Sequence, residues 1–253
     1  PSILGDPMRH RYLGICAFLL LADPLNATQH SHEAFTEILA EYVNDGGVDY
    51  ARLCGDQRLA AYCSAISATV PVAITDRDTR LAFWINAYNA FTLKVVCDNY
   101  PLESIKDLQL GGGLVGTVLR KTVWDRPLIR IGGRDYTLNQ IEHDIIRVEF
   151  EDPRIHFALV CAAVSCPPLR REAYEGPVLD AQLDDQARTF LNDREKNLFS
   201  LPDRTASLSK ILSWYRSDFG QGQSDLLLYL ARFLPEATSD SLSSSPGTWR
   251  VEY

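Results

Sequence analysis

The sequence predicts an α+β fold in which helices pack on a small, mainly antiparallel sheet. Amphipathic helical repeats cover long parts of the chain, whereas the strand-like apolar runs are short. Two of those short runs flank Gly132-Gly133, a pair typical of a β-hairpin turn. Hydrophobic residues make up 46% of the 253 residues, which is ordinary for a globular chain and excludes a disordered or collagen-like one.

Three helices are predicted before residue 101. Ser31 is the predicted N-cap of the first and Thr75, with Asp78 at the N3 position, that of the third, while the second is predicted to begin at Asp56. The first helix should stop at the sequence Asn44-Asp45-Gly46-Gly47, the second at Ala68 and the third at Tyr100-Pro101.

The middle of the chain contains the predicted strands. Residues 118–124 and 128–131 are β runs that lead into the hairpin turn, and residues 155–161 form a further apolar strand. Thr137 and Gln140 make a capping box, which predicts a helix through Val148. The sheet is therefore expected to be assembled from local, hairpin-linked pieces.

The last third is predicted to be mainly helical. Apolar periodicity indicates helices at residues 179–191, 210–219 and 225–234. Residues 236–248 are rich in serine and are expected to be a linker or loop. Residues 249–253 alternate apolar and polar side chains, which predicts a final strand, and residues 28–253 are predicted to form a single domain.

The N-terminal segment has the pattern of a secretory signal. The basic triplet Arg9-His10-Arg11 precedes an apolar run at residues 12–22, and Ala27 offers a small residue for cleavage. Residues 1–27 are therefore predicted to be a signal peptide, and the protein is expected to be exported to a periplasm or the extracellular space. The run is too short to cross a bilayer, so no stable membrane insertion is expected after cleavage.

Charge and cysteine content narrow the function classes. With 25 basic and 33 acidic residues the net charge is −8, and no basic stripe stands out, which argues against nucleic acid as a partner. A small-molecule or peptide substrate is expected instead, with no cofactor. Removal of Cys16 with the signal would leave five of the six cysteines. At least one thiol then stays free, pairs between chains, or has a function.

Four blocks of sequence together resemble one known family. They are residues 82–90 (AFWINAYNA), 140–147 (QIEHDIIR), 152–169 (DPRIHFALVCAAVSCPPL) and 208–215 (LSKILSWY). In this order the chain resembles the family called domain of unknown function 547, over about residues 75 to 220. The resemblance implies a common fold and a region of interest, but it brings no assigned reaction.

The third block contains the residue types of a cysteine enzyme. His156, Cys161 and Cys166 are separated by four residues each, and His143 lies upstream. Cysteine hydrolases and acyl-transferases need a thiolate and an imidazole that generates it. We expect Cys166, slightly ahead of Cys161, to be the nucleophile on an amide or thioester, with His143 or His156 as base. The likeness to papain and transglutaminase-like enzymes is one of residue types only.

Three further polar residues complete the predicted site. Glu142 is expected to orient His156 from across the site, because adjacent helical side chains diverge and keep it from His143. Asn86 and Asn89 are expected to bind substrate, either by aligning an imidazole or by donating to an oxyanion. We expect all these residues to converge in one concave region.

Structural alternatives exist for most of these residues. Cys161 and Cys166 can form a disulfide in a non-catalytic binding or scaffold domain. A zinc site of His156, Cys161 and Cys166 with His143 or Glu142 also has acceptable ligand types, although the spacing matches no strong zinc signature. Asn86 and Asn89 can instead tie their helix to a neighbouring loop backbone.

Overall fold

The computed structural model describes residues 31–44, 47–101, 122–161 and 166–253. Ten α-helices lie in these ranges, several of them only one turn long. They are α1 (Glu33–Tyr42), α2 (Tyr50–Leu53), α3 (Gln57–Ala68), α4 (Arg77–Asp98), α5 (Arg147–Phe150), α6 (Ile155–Ala158), α7 (Leu179–Leu191), α8 (Lys210–Trp214), α9 (Gln223–Ala231) and α10 (Glu236–Ser244). The predicted signal segment, residues 1–27, lies outside the described residues.

The strands are short and form three separate small sheets. The strands are β1 (Val43–Asn44), β2 (Gly47–Val48), β3 (Ile129–Ile131), β4 (Arg134–Tyr136), β5 (Leu198–Ser200), β6 (Thr205–Ser207) and β7 (Arg250–Glu252). β1 pairs with β2 and β3 with β4, both antiparallel, while β5–β6–β7 is mixed because β7 runs parallel to β6. The predicted α+β class is confirmed, with the strands divided among three sheets.

The N-terminal helices form where they were predicted, with different caps. Asp56, where the second helix was predicted to begin, caps α3. Asp76, not Thr75, caps α4: its Oδ1 accepts from the Thr79 amide at 2.8 Å. A carboxylate is a strong acceptor for the free amides of a helix N-terminus. At the predicted stop after α1, β1 pairs antiparallel with β2, and residues 45 and 46 between them lie outside the described residues.

The central hairpin is confirmed, and one predicted strand is wrong in its described part. Gly132 and Gly133 have φ values of 57° and 82°, which suit the turn between β3 and β4. Residues 118–121 of the predicted run at 118–124 lie outside the described residues. The rest of that run enters a 3₁₀ turn, Val123–Asp125, instead of a strand.

The capping box at Thr137 and Gln140 is confirmed by reciprocal bonds, both of 2.9 Å, between the side chain of each residue and the amide of the other. The helix that follows opens as a π-helix, Gln140–Ile146, and continues as α5. A π turn widens the helix by one residue and changes which side chains face inward. This local geometry directs Glu142 inward, where only 6% of its surface stays exposed.

The predicted strand at residues 155–161 is wrong, because the segment begins as the single-turn helix α6 before it extends at Leu159. The turn that starts it is made by Asp152, whose carboxylate accepts from the Arg154 amide at 3.0 Å. The Arg154 guanidinium then contacts Asp180 and Asp184 on α7 at 2.8 and 2.5 Å. α6 is thereby fixed against α7.

The C-terminal region contains one further correction. Residues 236–248, expected to be a linker, include helix α10, whose Leu242 is completely buried. A single apolar residue was too weak a periodic signal among so many serines. The final strand is confirmed as β7, and Trp249 beside it is 3% exposed.

Buried side chains form two main clusters. The larger collects apolar residues from α1, α3, α4 and the β3–β4 hairpin, and the smaller collects them from α7, α8, α9, α10 and the β5–β7 sheet. α6 contributes to both, because Ile155 belongs to the larger cluster and Phe157 to the smaller. In the described ranges, no helix is both long and apolar enough to cross a membrane.

Candidate functional site

His156 is held in a fixed orientation between the two clusters. It lies on α6, is 3% exposed, and stacks on the Tyr215 ring at 3.8 Å between centroids. Its Nε2 is 2.7 Å from Oδ2 of Asp218. Its Nδ1 is buried and has no hydrogen-bond partner among the described residues. The imidazole therefore has one oriented nitrogen and one that remains available.

Asp218 is in turn held by Arg147. The guanidinium donates to both carboxylate oxygens through Nε and Nη2, at 2.8 and 2.7 Å, in a bidentate pair. Burial acts to raise the pKa of Asp218, but the hydrogen bonds from Arg147 and His156 outweigh it and lower that pKa to about 2. Burial lowers the pKa of His156, against the opposing influence of Asp218. The resting pair is thus a neutral imidazole on an ionised aspartate.

A second buried carboxylate, Glu142, lies beside this pair. The Tyr88 hydroxyl donates to its Oε2 at 3.3 Å, and the Tyr215 side chain is also hydrogen-bonded to it. Burial, followed by the negative charge of Glu142, raises the pKa of both tyrosines well above the ordinary value. The Trp124 side chain is hydrogen-bonded to the Tyr88 hydroxyl. Because an indole N–H can only donate, the Tyr88 proton points to Glu142.

The two predicted nucleophiles are joined to each other. Cys161 and Cys166 form a disulfide across a sequence separation of 5, so the expectation of a free thiol at either position is wrong for this state of the protein. A second disulfide joins Cys54 to Cys97. Cys63 is the free cysteine of the described residues; it is 2% exposed, and burial raises the pKa of its thiol to about 12, so it is unreactive.

One cavity, of about 230 Å³, brings most of the predicted site together. We call it the aromatic cavity, because five of its side chains carry rings. Its described lining residues are Tyr88, Thr122, Trp124, Asn139, Glu142, His156, Leu159, Cys161, Cys166, Ile211, Trp214 and Tyr215. The predicted convergence therefore holds for Glu142, His156 and both cysteines. Trp214 is 67% exposed at this cavity.

His143 does not belong to this group. It lines a neighbouring cavity of about 410 Å³ with Arg147 and Asp218. Its Nδ1 contacts Arg147 Nη1 at 3.2 Å and lies 4.0 Å from Glu142 Oε1, beyond hydrogen-bonding distance. Since a guanidinium can only donate, this Nδ1 acts as an acceptor. The alternative base is therefore displaced from the cysteines by the turn of its helix.

Asn86 and Asn89 have structural roles, so their assignment to substrate binding is wrong. Both are buried, at 0% and 1% exposure. Asn86 makes two bonds to the backbone of Tyr174, at 2.7 and 2.9 Å. Asn89 donates to the Ala158 carbonyl at 2.9 Å and accepts from the Val160 amide at 3.0 Å. Their amides are satisfied by loop backbone, and Asn89 fixes the segment that leads to Cys161.

The orienting role predicted for Glu142 belongs to Asp218, because the direct partner of His156 is the Asp218 carboxylate. Sequence reasoning missed Asp218 and Arg147, although Arg147 closes the second family block and Asp218 follows the fourth by three residues. An acid between the aromatic residues Tyr215 and Phe219 was the available signal. Within the residues that the structure describes, no cluster of His, Cys, Asp or Glu is arranged to hold a metal ion.

Comparison with known proteins gives one match. The model of the family described as protein of unknown function, DUF547, matches residues 72–191, which confirms the predicted resemblance over that segment. The matched segment contains α4, Glu142, His156 and both cysteines of the aromatic cavity. No curated protein and no solved structure matches the chain.

Proposed function

Residues 72–191 belong to the DUF547 family, which has no assigned reaction, and we propose from the site that the protein is a cysteine-dependent hydrolase or acyl-transferase, latent while Cys161 and Cys166 are bridged. One observation carries this proposal. The oriented imidazole of His156 and the disulfide line the same aromatic cavity. A nucleophile, a base and a group that orients the base are the parts that such chemistry needs.

The His156–Asp218 pair supports the role of base. Asp218 holds Nε2 at 2.7 Å, which leaves Nδ1 as the nitrogen that can take a proton. Because burial lowers the pKa of His156, the imidazole is neutral near pH 7 and able to accept one. The ionised Asp218 then stabilises the imidazolium that forms. This is the division of roles found in catalytic triads generally.

The disulfide supplies the latency. Two equivalents of a thiol reductant convert Cys161–Cys166 to two thiols and are themselves oxidised to one disulfide. His156 then takes the Cys166 proton, and the thiolate sulfur bonds to the acyl carbon of an amide or thioester. The leaving group departs with the proton from His156, and water or another acceptor releases the acyl group.

We propose Cys166 as the nucleophile and Cys161 as the cysteine that masks it. Asn89 fixes the backbone at Val160, directly before Cys161, whereas Cys166 stands before two prolines at the far side of the short disulfide loop. The two prolines prevent a regular helix or strand directly after Cys166, so this cysteine is presented from an irregular segment.

Export is part of the proposal. The basic-apolar-small pattern at residues 9–27 supports it. So do two disulfides among five described cysteines, because disulfides persist in oxidising compartments. The N-terminus of the protein released by an expressing bacterium tests this, with a new terminus near Thr28 as the expected result. Cytoplasmic protein that keeps Met8 would contradict it.

A second candidate function is a non-catalytic binding or scaffold domain, and the disulfide favours it. In that case Cys161–Cys166 closes the wall of the cavity permanently and the network of His156, Asp218 and Arg147 is structural. Such a domain has no use for a reactive thiol. The two candidates therefore differ in what happens after reduction.

Acylation after mild reduction separates them. We expect the full chain, treated with a phosphine reductant and then with 4-nitrophenyl acetate, to release one equivalent of nitrophenolate rapidly and to carry an acetyl group on Cys166 by peptide mass spectrometry. The unreduced protein should not react. His156→Gln should slow acetylation by ~10²-fold or more, the usual effect of losing a general base.

His143→Gln is the matched control, because this histidine lies outside the aromatic cavity. It should be acetylated at the wild-type rate. The enzyme proposal is wrong, and the binding or scaffold domain is favoured, if the wild-type protein is not acetylated after reduction although it is folded. The same holds if His156→Gln reacts as fast as wild type. Circular dichroism after reduction shows that each variant is folded.

A further inference from the structure

Glu142 is a buried carboxylate to which no cationic side chain of the described residues is hydrogen-bonded. It is 6% exposed, and the described groups bonded to it are two neutral hydroxyls, those of Tyr88 and Tyr215. Burying a carboxylate is costly unless a cation or a full set of donors compensates it. The two cationic candidates nearby, Arg147 and His143, must therefore be considered.

Neither of these two side chains hydrogen-bonds to Glu142. Arg147 gives its bidentate face to Asp218. The nearest nitrogen of His143, Nδ1, is 4.0 Å from Oε1 and is the atom that contacts Arg147 Nη1. Glu142 therefore faces the aromatic cavity with no cationic side chain of the described residues hydrogen-bonded to it.

The remaining wall suits a positive ligand. Among the described residues that line the aromatic cavity, Glu142 is the one with a formal charge, since burial keeps His156 neutral. The rings of Tyr88, Trp124 and Trp214 line the same space. Aromatic faces attract cations, most strongly where water is excluded. A carboxylate among aromatic rings is thus a complementary environment for an organic cation.

We propose that the aromatic cavity binds a primary ammonium group, with Glu142 as its counter-charge. Primary amines fit better than quaternary ones because the Glu142 oxygens have lone pairs left after the two tyrosine bonds, and these lone pairs favour an N–H donor. The volume of about 230 Å³ suits an ammonium head and a short alkyl chain, as at the end of a lysine side chain.

Binding rests on the cavity alone, but its meaning rests on the proposed function, in which the amine is the acyl acceptor. One ammonium proton passes to His156, and the amine nitrogen then bonds to the acyl carbon. The bond from that carbon to the Cys166 sulfur breaks, and the thiolate takes the proton that the nitrogen loses. The product is an amide, His156 releases its proton to solvent, and the imidazole and the cysteine are regenerated.

The binding step can be tested on the full chain with its disulfides intact, without turnover. The probe is n-butylammonium chloride and its neutral match is n-butanol, with binding followed by calorimetry and by Trp124 and Trp214 fluorescence. We expect butylammonium to bind at least about tenfold more tightly than butanol. Glu142→Gln should lower the affinity for butylammonium about tenfold or more, in line with the loss of a charged hydrogen bond.

Glu149→Gln is the matched control, since Glu149 is an exposed acid on α5, and it should bind like wild type. Trp214→Ala is a second variant that removes a ring from the cavity at an exposed position, and it should weaken butylammonium several-fold without unfolding the chain. Equal affinity of Glu142→Gln and wild type would overturn the proposal. The proposal would also be overturned if butanol or tetramethylammonium bound the wild type as tightly as butylammonium does.

The two proposals fail separately. If amines bind but Cys166 is not acetylated, the proposed reaction is wrong and the ammonium site stands. If Cys166 is acetylated but amines do not bind, the hydrolase stands and the amine is not its acyl acceptor.

Discussion

The Cys54–Cys97 disulfide joins two helices at their ends, whereas Cys161–Cys166 closes a short loop at a cavity. Cys54 is the C-cap of α2 and Cys97 lies in the last turn of α4, across a sequence separation of 43. Cys161 and Cys166 are separated by 5 and line the aromatic cavity with His156. The first bridge restrains a large part of the chain, and the second restrains very little.

Loop length shows what each bridge contributes. In the chain-entropy account, a cross-link stabilises by restricting the unfolded chain, by ~4 kcal/mol for a loop like that of Cys54–Cys97 and by ~2 kcal/mol for one like that of Cys161–Cys166. The short bridge is thus the weaker structural device, although it has the more elaborate surroundings. Placement beside an oriented imidazole, and not stabilisation, is what distinguishes it.

The largest expected effect is on the long bridge. Replacing both Cys54 and Cys97 with alanine should lower the free energy of unfolding by ~4 kcal/mol, because the unfolded chain regains the freedom of a long loop. Urea denaturation under non-reducing conditions measures this. The acetylation of Cys166 in the folded variant should not change, because the bridge does not line the aromatic cavity.

A smaller loss is expected for the short bridge. Replacing both Cys161 and Cys166 with alanine should cost ~2 kcal/mol in the same measurement and should abolish acetylation completely. If this pair lowered the free energy of unfolding as much as the Cys54–Cys97 pair does, Cys161–Cys166 would be a principal structural element and the scaffold function would gain support.

The smallest expected effect is a difference in pH dependence. Since burial lowers the pKa of His156, the unfolded chain binds this proton more readily than the folded one. The stability contributed by the neutral imidazole is fully present above the unfolded pKa of about 6.5 and is lost as the pH falls. One proton gives a slope of at most ~1.4 kcal/mol per pH unit.

The free energy of unfolding, measured between pH 7 and pH 5, should therefore fall in wild type and fall less in His156→Gln. The variant without Cys54 and Cys97 should keep the wild-type slope, because His156 and its partner Asp218 remain intact in it. A His156→Gln slope equal to that of wild type would show that this imidazole does not titrate with folding.

Local signals predicted most of the elements. Asp56 at the start of α3, the capping box of Thr137 and Gln140, and the turn at Gly132-Gly133 each act within a few residues, so the sequence specifies them directly. The prediction of a strand at residues 155–161 was wrong because it, too, rested on local signals alone. Its apolar run suits a buried strand and a buried helical turn equally well, and only the Asp152 turn and the contacts of Arg154 with α7 select the helix.

Residue types of the site were accessible from the sequence, but their pairings were not. The family blocks indicated Glu142, His156 and the two cysteines, and these meet at one cavity. Asp218 is 62 positions from His156 and shares no local pattern with it. From the sequence, the amides of Asn86 and Asn89 were predicted to bind substrate. In the structure they hydrogen-bond to the backbones of Tyr174, Ala158 and Val160.

The amino-acid sequence by itself determined the fold class, the resemblance to the DUF547 family and which candidate side chains lie near one another in the chain, because helix caps, tight turns and motif spacing depend on short-range geometry. Tertiary packing decided which groups work together. It bridged Cys161 to Cys166, placed Asp218 on His156, and left the charge of Glu142 facing the cavity. Pairing and burial depend on distances between segments far apart in the chain, and those distances exist only once both clusters have packed around α6.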